Sequence, residues 1–243
     1  AKASAIVRLI RVPEIFGYLV NPRTGGIEPA TEAARESWEL GLSNHLKFNV
    51  NRKTETQLTH QALELGAWTR DRYSLFLNDE ERDEVLRRKS IWSDGGVKRI
   101  IGINTGCAAT IPYKKLSIEG HVTLLTKLRS RTRAFVLLGG KEDRERNQVI
   151  AAKARERGLA VLESTTERGL RDGMISVAAC DVVVTGDSLG MHLALGFQIP
   201  TVAWFGPTCA HEVDLYGGQA IRSRAACSPC WKRSCTKTAM CYD

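Results

Sequence analysis

Five short apolar runs constrain this chain more than anything else in it. They are "KRIIGIN" (98–104), "AFVLLGG" (134–140), "LAVLE" (159–163), "DVVVTG" (181–186) and "PTVAWFG" (200–206). A strand that is apolar along its whole length has no wet face, so both of its sides must be covered. The segments between the runs supply the cover. Residues 118–129 carry Val122, Leu124, Leu125 and Leu128 at helical spacing, and "EDRERNQVIAAKARERG" closes on Gly158, a helix-stop residue. Residues 170–179 and "SLGMHLALGF" (188–197) read as two more helices. Strands alternating with helices imply a parallel sheet with right-handed crossovers, so every strand delivers its carboxyl end to one edge.

Residues 96–243 therefore read as an α/β, Rossmann-like domain. The first 95 residues carry no such series. "EIFGYLVNPRTGGIEPA" reads as two short strands about a turn at Asn21–Gly26. Thr31–Leu40 and Thr54–Leu65 read as helices, Asp79–Ser90 as a charged helix or linker, and "SDGG" (93–96) as a boundary. Residues 1–95 thus read as the tail of a domain whose beginning is absent.

Composition narrows the partners. The 243 residues carry a net charge of +8, which suits an anionic ligand or surface. No run of about 18 apolar residues is present to span a bilayer, and no apolar leader opens the chain. A cytoplasmic setting with reduced thiols is expected. Basic residues are not interleaved with aromatics in the way that stacks single-stranded bases, so nucleic acid is not the expected partner.

In a parallel sheet, ligands sit beyond the carboxyl ends of the strands. Loops at that edge carry the chemistry. "NTGCAATIPYKK" offers Thr105, Thr110, a close backbone approach at Gly106, and Lys114 as a point charge for phosphate. "GGKEDRE" places Glu142 or Asp143 at a helix start, to cap it or to accept from ribose hydroxyls. "GDSLGMHLALGF" begins a helix after the Val182–Val184 run, and such a start presents backbone N–H groups and a positive dipole end to an anion. Asp187 is placed to cap that helix or to hold a sugar hydroxyl. His192 follows on its first turns.

The order of these motifs resembles glycosyltransferase family 9, the bacterial heptosyltransferases of lipopolysaccharide core synthesis. The likeness rests on Asp187, Ser188, Leu189, Gly190, Met191 and His192, then Phe205-Gly206-Pro207-Thr208, with "YKKLS" and "LLGGKEDRERN" upstream. The family places a glycine directly after its hydroxyl residue; here that place is Leu189, and Gly190 follows. In the family's Lys-x-Trp-Pro element, Leu116 and Ser117 replace the last two residues. The resemblance implies the C-terminal half of a GT-B-type, two-domain glycosyltransferase. Its donor would be an ADP-heptose-like nucleotide-diphosphate sugar and its acceptor a lipid-linked saccharide, with peripheral contact at the inner face of the cytoplasmic membrane. Lys114 would bind the diphosphate with Thr110 beside it, and Asp143 or Glu142 would reach the nucleoside. Ser188–Gly190 would hold phosphate oxygens, Asp187 the donor sugar, and His192 a supporting position. Inverting transfer without a cofactor or metal is implied. The family's Asp general base, in a Gly-Asp-x-x-x-x-Thr-Pro-like stretch, has no match here, so the chain alone is not expected to transfer sugar.

Four cysteines crowd the end as Cys227-x2-Cys230-x4-Cys235-x5-Cys241. Their number suits tetrahedral zinc, but the later spacings are not those of a standard ribbon. A structural zinc site, a redox-labile arrangement and plain reduced thiols stay open. Two other functions stay open as well: a GT-B-type nucleotide-sugar epimerase, and a basic nucleotide- or nucleic-acid-binding module with a zinc knuckle.

Overall fold

The computed structural model describes residues 2–7, 9–10, 12–164, 168–237 and 241–242. The chain forms two compact units: Ala1–Asp71 with Cys209–Asp214, and Arg72–Thr208 with Leu215–Asp243.

In the smaller unit, helix α1 (Lys2–Val7) precedes an antiparallel hairpin of β1 (Tyr18–Val20) and β2 (Ile27–Pro29), in which Val20 faces Ile27. The connecting turn closes where the amide of Asn21 donates to Gly26 O at 2.7 Å. Helices α2 (Arg35–Leu42) and α3 (Glu55–Ala62) follow. Thr54 starts α3 by accepting the Gln57 amide at 3.2 Å, a contact typically worth about 1 kcal/mol. Arg70 donates through Nε to the buried Asp214 carboxylate at 2.5 Å, which ties the returning segment 209–214 to this unit.

In the larger unit, a six-stranded parallel sheet runs in the order β5-β4-β3-β6-β7-β8. The strands are β3 (Arg99–Asn104), β4 (Arg133–Leu138), β5 (Val161–Glu163), β6 (Val182–Gly186), β7 (Thr201–Phe205) and β8 (Gln219–Arg222). One face buries Ile101, Ile103, Phe135 and Leu137 under helices α5 (Ile118–Lys127) and α6 (Arg144–Glu156). The other buries Ile100, Val136 and Val183 under α7 (Leu170–Ala178) and α8 (Leu189–Gly196). Each fully buried aliphatic or aromatic side chain contributes about 1.5–3 kcal/mol of transfer free energy, so a run such as Phe135–Leu138 is committed to the interior. Strand β8 was not legible in the sequence. All four of its residues are exposed, so it carries no apolar run.

The charged stretch is a helix, α4 (Asp79–Trp92), and it belongs to the sheet unit. Asn78 and Glu81 cap its start reciprocally, in a capping box. Buried Arg88 fixes its position: it donates to Ser176 Oγ at 2.6 Å and pairs with the Asp172 carboxylate on α7. The guanidiniums of Arg87 and Arg88 hold the Glu84 carboxyl down to about 2. The division of the chain accordingly falls at Asp71–Arg72, ahead of the "SDGG" turn, because α4 and its approach pack on α7 and the sheet.

Candidate functional site

The connections run from β3 outward to β4 and β5, and then from β6 outward the other way. This makes the gap between the carboxyl ends of β3 and β6 the topological switch point, where open α/β sheets place their ligands. A cleft of about 700 Å³ opens there. Its wall combines Lys114, Asp143, Asp187 and the 188–190 backbone with an apolar side of Leu138, Leu170, Val177 and Leu193.

Asn104, the last residue of β3, organises the cleft floor. Its Nδ2 donates to Ser188 Oγ at 2.9 Å and to Gly106 O at 3.0 Å. Ser188 Oγ also meets Thr185 Oγ1 at 3.1 Å. Ser188 is the N-cap of α8 in extended conformation, but its hydroxyl makes no cap bond. Among the described residues, the amides of Leu189 and Gly190 therefore donate to no acceptor, while those of Met191 and His192 reach Ser188 O. Gly190 is required by the same packing. A Cβ there would stand 2.8 Å from Asn104 Cγ, closer than real Cβ contacts come.

Lys114 lines the same cleft as these amides. Its ammonium lies 2.8 Å from Asp187 Oδ2, with side-chain exposures of 17% and 11%. Its backbone is held as well, because Trp204 Nε1 on β7 donates to Lys114 O at 2.9 Å. The loop thus folds back over the sheet edge and brings its lysine to the helix start.

Asp143 is buried, and its Oδ2 accepts the Gly140 amide at 3.0 Å, the capping geometry. Burial raises its carboxyl above the usual range, with the Gly140 amide opposing. Gly106 makes room for it, since a Cβ at 106 would lie 1.9 Å from Asp143 Oδ2. His192 lines the cleft, with Nδ1 3.2 Å from the Tyr73 hydroxyl.

The structure thus gathers Gly106, Lys114, Asp143, Asp187, Ser188, Leu189, Gly190 and His192 around one cleft. Thr105 lies beneath it, fully buried, with its hydroxyl on Leu138 O and Asn147. Thr110 is exposed and does not line the cleft. Sequence reasoning gave no role to Asn104, although a polar residue ending an apolar strand was the available signal. It also gave none to Cys107, a half-buried thiol on the cleft wall whose pKa is pushed up by burial.

Among the described residues, no group of three or more His, Cys, Asp or Glu side chains is placed to hold a metal ion. Cys227, Cys230, Cys235 and Cys241 are half-buried on a C-terminal strap and form no disulfide. Backbone and hydroxyl contacts hold the strap to the end of β7. Ser228 Oγ donates to Gly206 O at 2.6 Å, and the amides of Cys230 and Trp231 donate to Pro207 O at 3.0 and 2.8 Å.

A doubly wound parallel sheet with its cleft at the switch point defines the class of architecture. The chain belongs to glycosyltransferase family 9 (heptosyltransferase), whose family model matches residues 44–240. It is 32% identical over 211 residues to lipopolysaccharide heptosyltransferase 2 of Salmonella typhimurium, a match covering 85% of this chain and 57% of the relative. It is 26% identical over 142 residues to lipooligosaccharide heptosyltransferase 2 of Campylobacter jejuni, covering 57% of this chain and 44% of the relative. Among solved structures it is similar to E. coli ADP-heptose lps heptosyltransferase II, at TM-score 0.50 and 25% identity over 63% of this chain and 46% of that one. A family 9 glycosyltransferase from Veillonella parvula shares the fold at TM-score 0.57 and 21% identity, covering 72% of this chain and 49% of that one. The chain thus spans about half the length of the curated relatives it matches.

Proposed function

We propose that the sheet unit binds a nucleotide-diphosphate sugar, ADP-heptose-like in chemistry, and that the chain serves heptosyl transfer to a lipopolysaccharide-core or other lipid-linked acceptor. The observation that carries this reading is the meeting of three chemistries in one cleft. Lys114 and the unspent amides of Leu189 and Gly190 suit a diphosphate. The carboxylates of Asp143 and Asp187 suit sugar and ribose hydroxyls, and the wall of Leu138, Leu170, Val177 and Leu193 suits a base.

In the transfer, the bond between the anomeric carbon and the diphosphate oxygen breaks and its electron pair leaves with the nucleotide. The acceptor oxygen forms the new bond on the opposite face and gives up its proton to a base. Negative charge builds on the departing phosphate, and fixed N–H dipoles with a lysine oppose it without reorganising. An arrangement of this kind is worth on the order of 3 kcal/mol per donor and requires no metal ion. In this reading Ser188, Leu189 and Gly190 hold phosphate oxygens, Asp187 the donor sugar, and His192 a supporting position. Thr105 and Gly106 shape the floor, with Thr110 in the same loop. The transfer takes place at the inner face of the cytoplasmic membrane, where a lipid-linked acceptor is presented.

Thermal unfolding with and without ligand tests the binding half. ADP or an ADP-sugar at about 100 times its dissociation constant is expected to add about 2.7 kcal/mol of stability. Stabilisation by oligonucleotides instead, with a steep salt dependence, would overturn the reading in favour of a nucleic-acid module.

A further inference from the structure

The cysteine-bearing strap brings an aromatic ring against a lysine of the cleft wall. Trp231 presents its indole face 5.5 Å from the Lys114 ammonium. The ammonium is therefore in reach of both a carboxylate, Asp187, and an aromatic face. The backbone of Trp231 is left-handed, with φ of 53°. A bulky residue holds that conformation only where its surroundings impose it. Here the imposing contact is the Pro207 carbonyl just beyond β7, to which the Trp231 and Cys230 amides both donate. The strap's backbone is thus anchored at the residue that carries the ring.

We infer that Trp231 is a positioning residue for Lys114, and that the strap's role is to deliver this ring to the phosphate end of the cleft. The inference rests on the nucleotide-diphosphate reading above. A lysine side chain has four freely rotating carbons, and ordering it on arrival of the ligand costs entropy. A ring face already in place holds the ammonium near its working position. When a diphosphate competes with Asp187 for the ammonium, the contact with the ring does not have to be given up.

The test is a double-mutant cycle in ADP binding by calorimetry, on the full chain. Trp231→Leu is expected to weaken ADP about 5- to 20-fold. Trp231→Phe, which keeps a ring face, is expected to recover most of that loss. In a Lys114→Met background, Trp231→Leu is expected to cost little further. Equal loss from Trp231→Leu in both backgrounds, or no recovery by Trp231→Phe with the fold intact by circular dichroism, would overturn the inference while leaving the nucleotide site standing. Failure of the unaltered chain to bind ADP at millimolar concentration would remove the nucleotide reading and this inference together.

Discussion

The Lys114 ammonium and the Asp187 carboxylate lie 2.8 Å apart at the start of α8, beside two amides that bind no acceptor among the described residues. An anion entering this corner meets a cation already neutralised by a neighbour. Binding therefore exchanges one ion pair for another rather than creating one from nothing.

That exchange gives opposite signs to substitutions at adjacent atoms. Lys114→Met is expected to weaken ADP by about 10- to 100-fold, the worth of a charge-assisted contact to phosphate. Asp187→Asn removes the competitor and is expected to tighten ADP alone by several-fold, while any transfer activity falls. Calorimetric titration of both variants reads the difference; equal weakening in both would mean that the pair only holds the loop.

At Gly190, helix propensity and packing disagree. Alanine in a helix is favoured over glycine by about 1 kcal/mol, but a Cβ here would stand 2.8 Å from Asn104 Cγ. Asn104 is not free to yield, because it holds both Ser188 and Gly106. Gly190→Ala is therefore expected to lose stability by about 1–3 kcal/mol and to weaken ADP as well. Chemical denaturation reads the first effect, and a stabilised variant would refute the packing account.

His121 predicts a pH dependence. It is fully buried on α5 beneath the loop that carries Lys114, and Nδ1 lies 2.9 Å from Ser117 O. Burial pushes its pKa down to about 4, with the backbone bond to Ser117 opposing and the nearby Arg146 guanidinium adding to the fall. Trp204 from β7 meets its ring edge-on, and Lys115 adds positive charge from the preceding loop. A histidine whose folded pKa lies below its unfolded value binds its proton more readily when unfolded. Its contribution is therefore intact above about 6.5 and declines as pH falls toward about 4. Between about pH 7 and about pH 5 the loss is on the order of 2 kcal/mol. Denaturation of His121→Gln at both pH values is expected to lose most of that slope; an unchanged slope would place the effect elsewhere.

Much of this was legible in the sequence, for a physical reason. The strands of the central sheet are apolar on both faces, so runs such as "DVVVTG" and "AFVLLGG" announce themselves without partners. The loops after them follow from the parallel topology, and with those loops came Lys114, Asp143 and the Asp187–His192 segment. Strand β8 was silent because all of its residues are exposed, so packing leaves no mark on its pattern. The place of α4 was hidden for a related reason. Its attachment includes a buried ion pair, Arg88 with Asp172, and charge in a sequence does not say which charges are buried. Asn104 and Trp231 could not be assigned because their partners lie 84 and 117 residues away along the chain.

The most direct measurement is a crystal structure of the chain with ADP bound. The diphosphate oxygens are expected within about 3 Å of Lys114 Nζ and of the Leu189 and Gly190 amides, with Asp187 released from the lysine. A diphosphate bound elsewhere, with the Lys114–Asp187 pair intact and both amides untouched, would contradict the account.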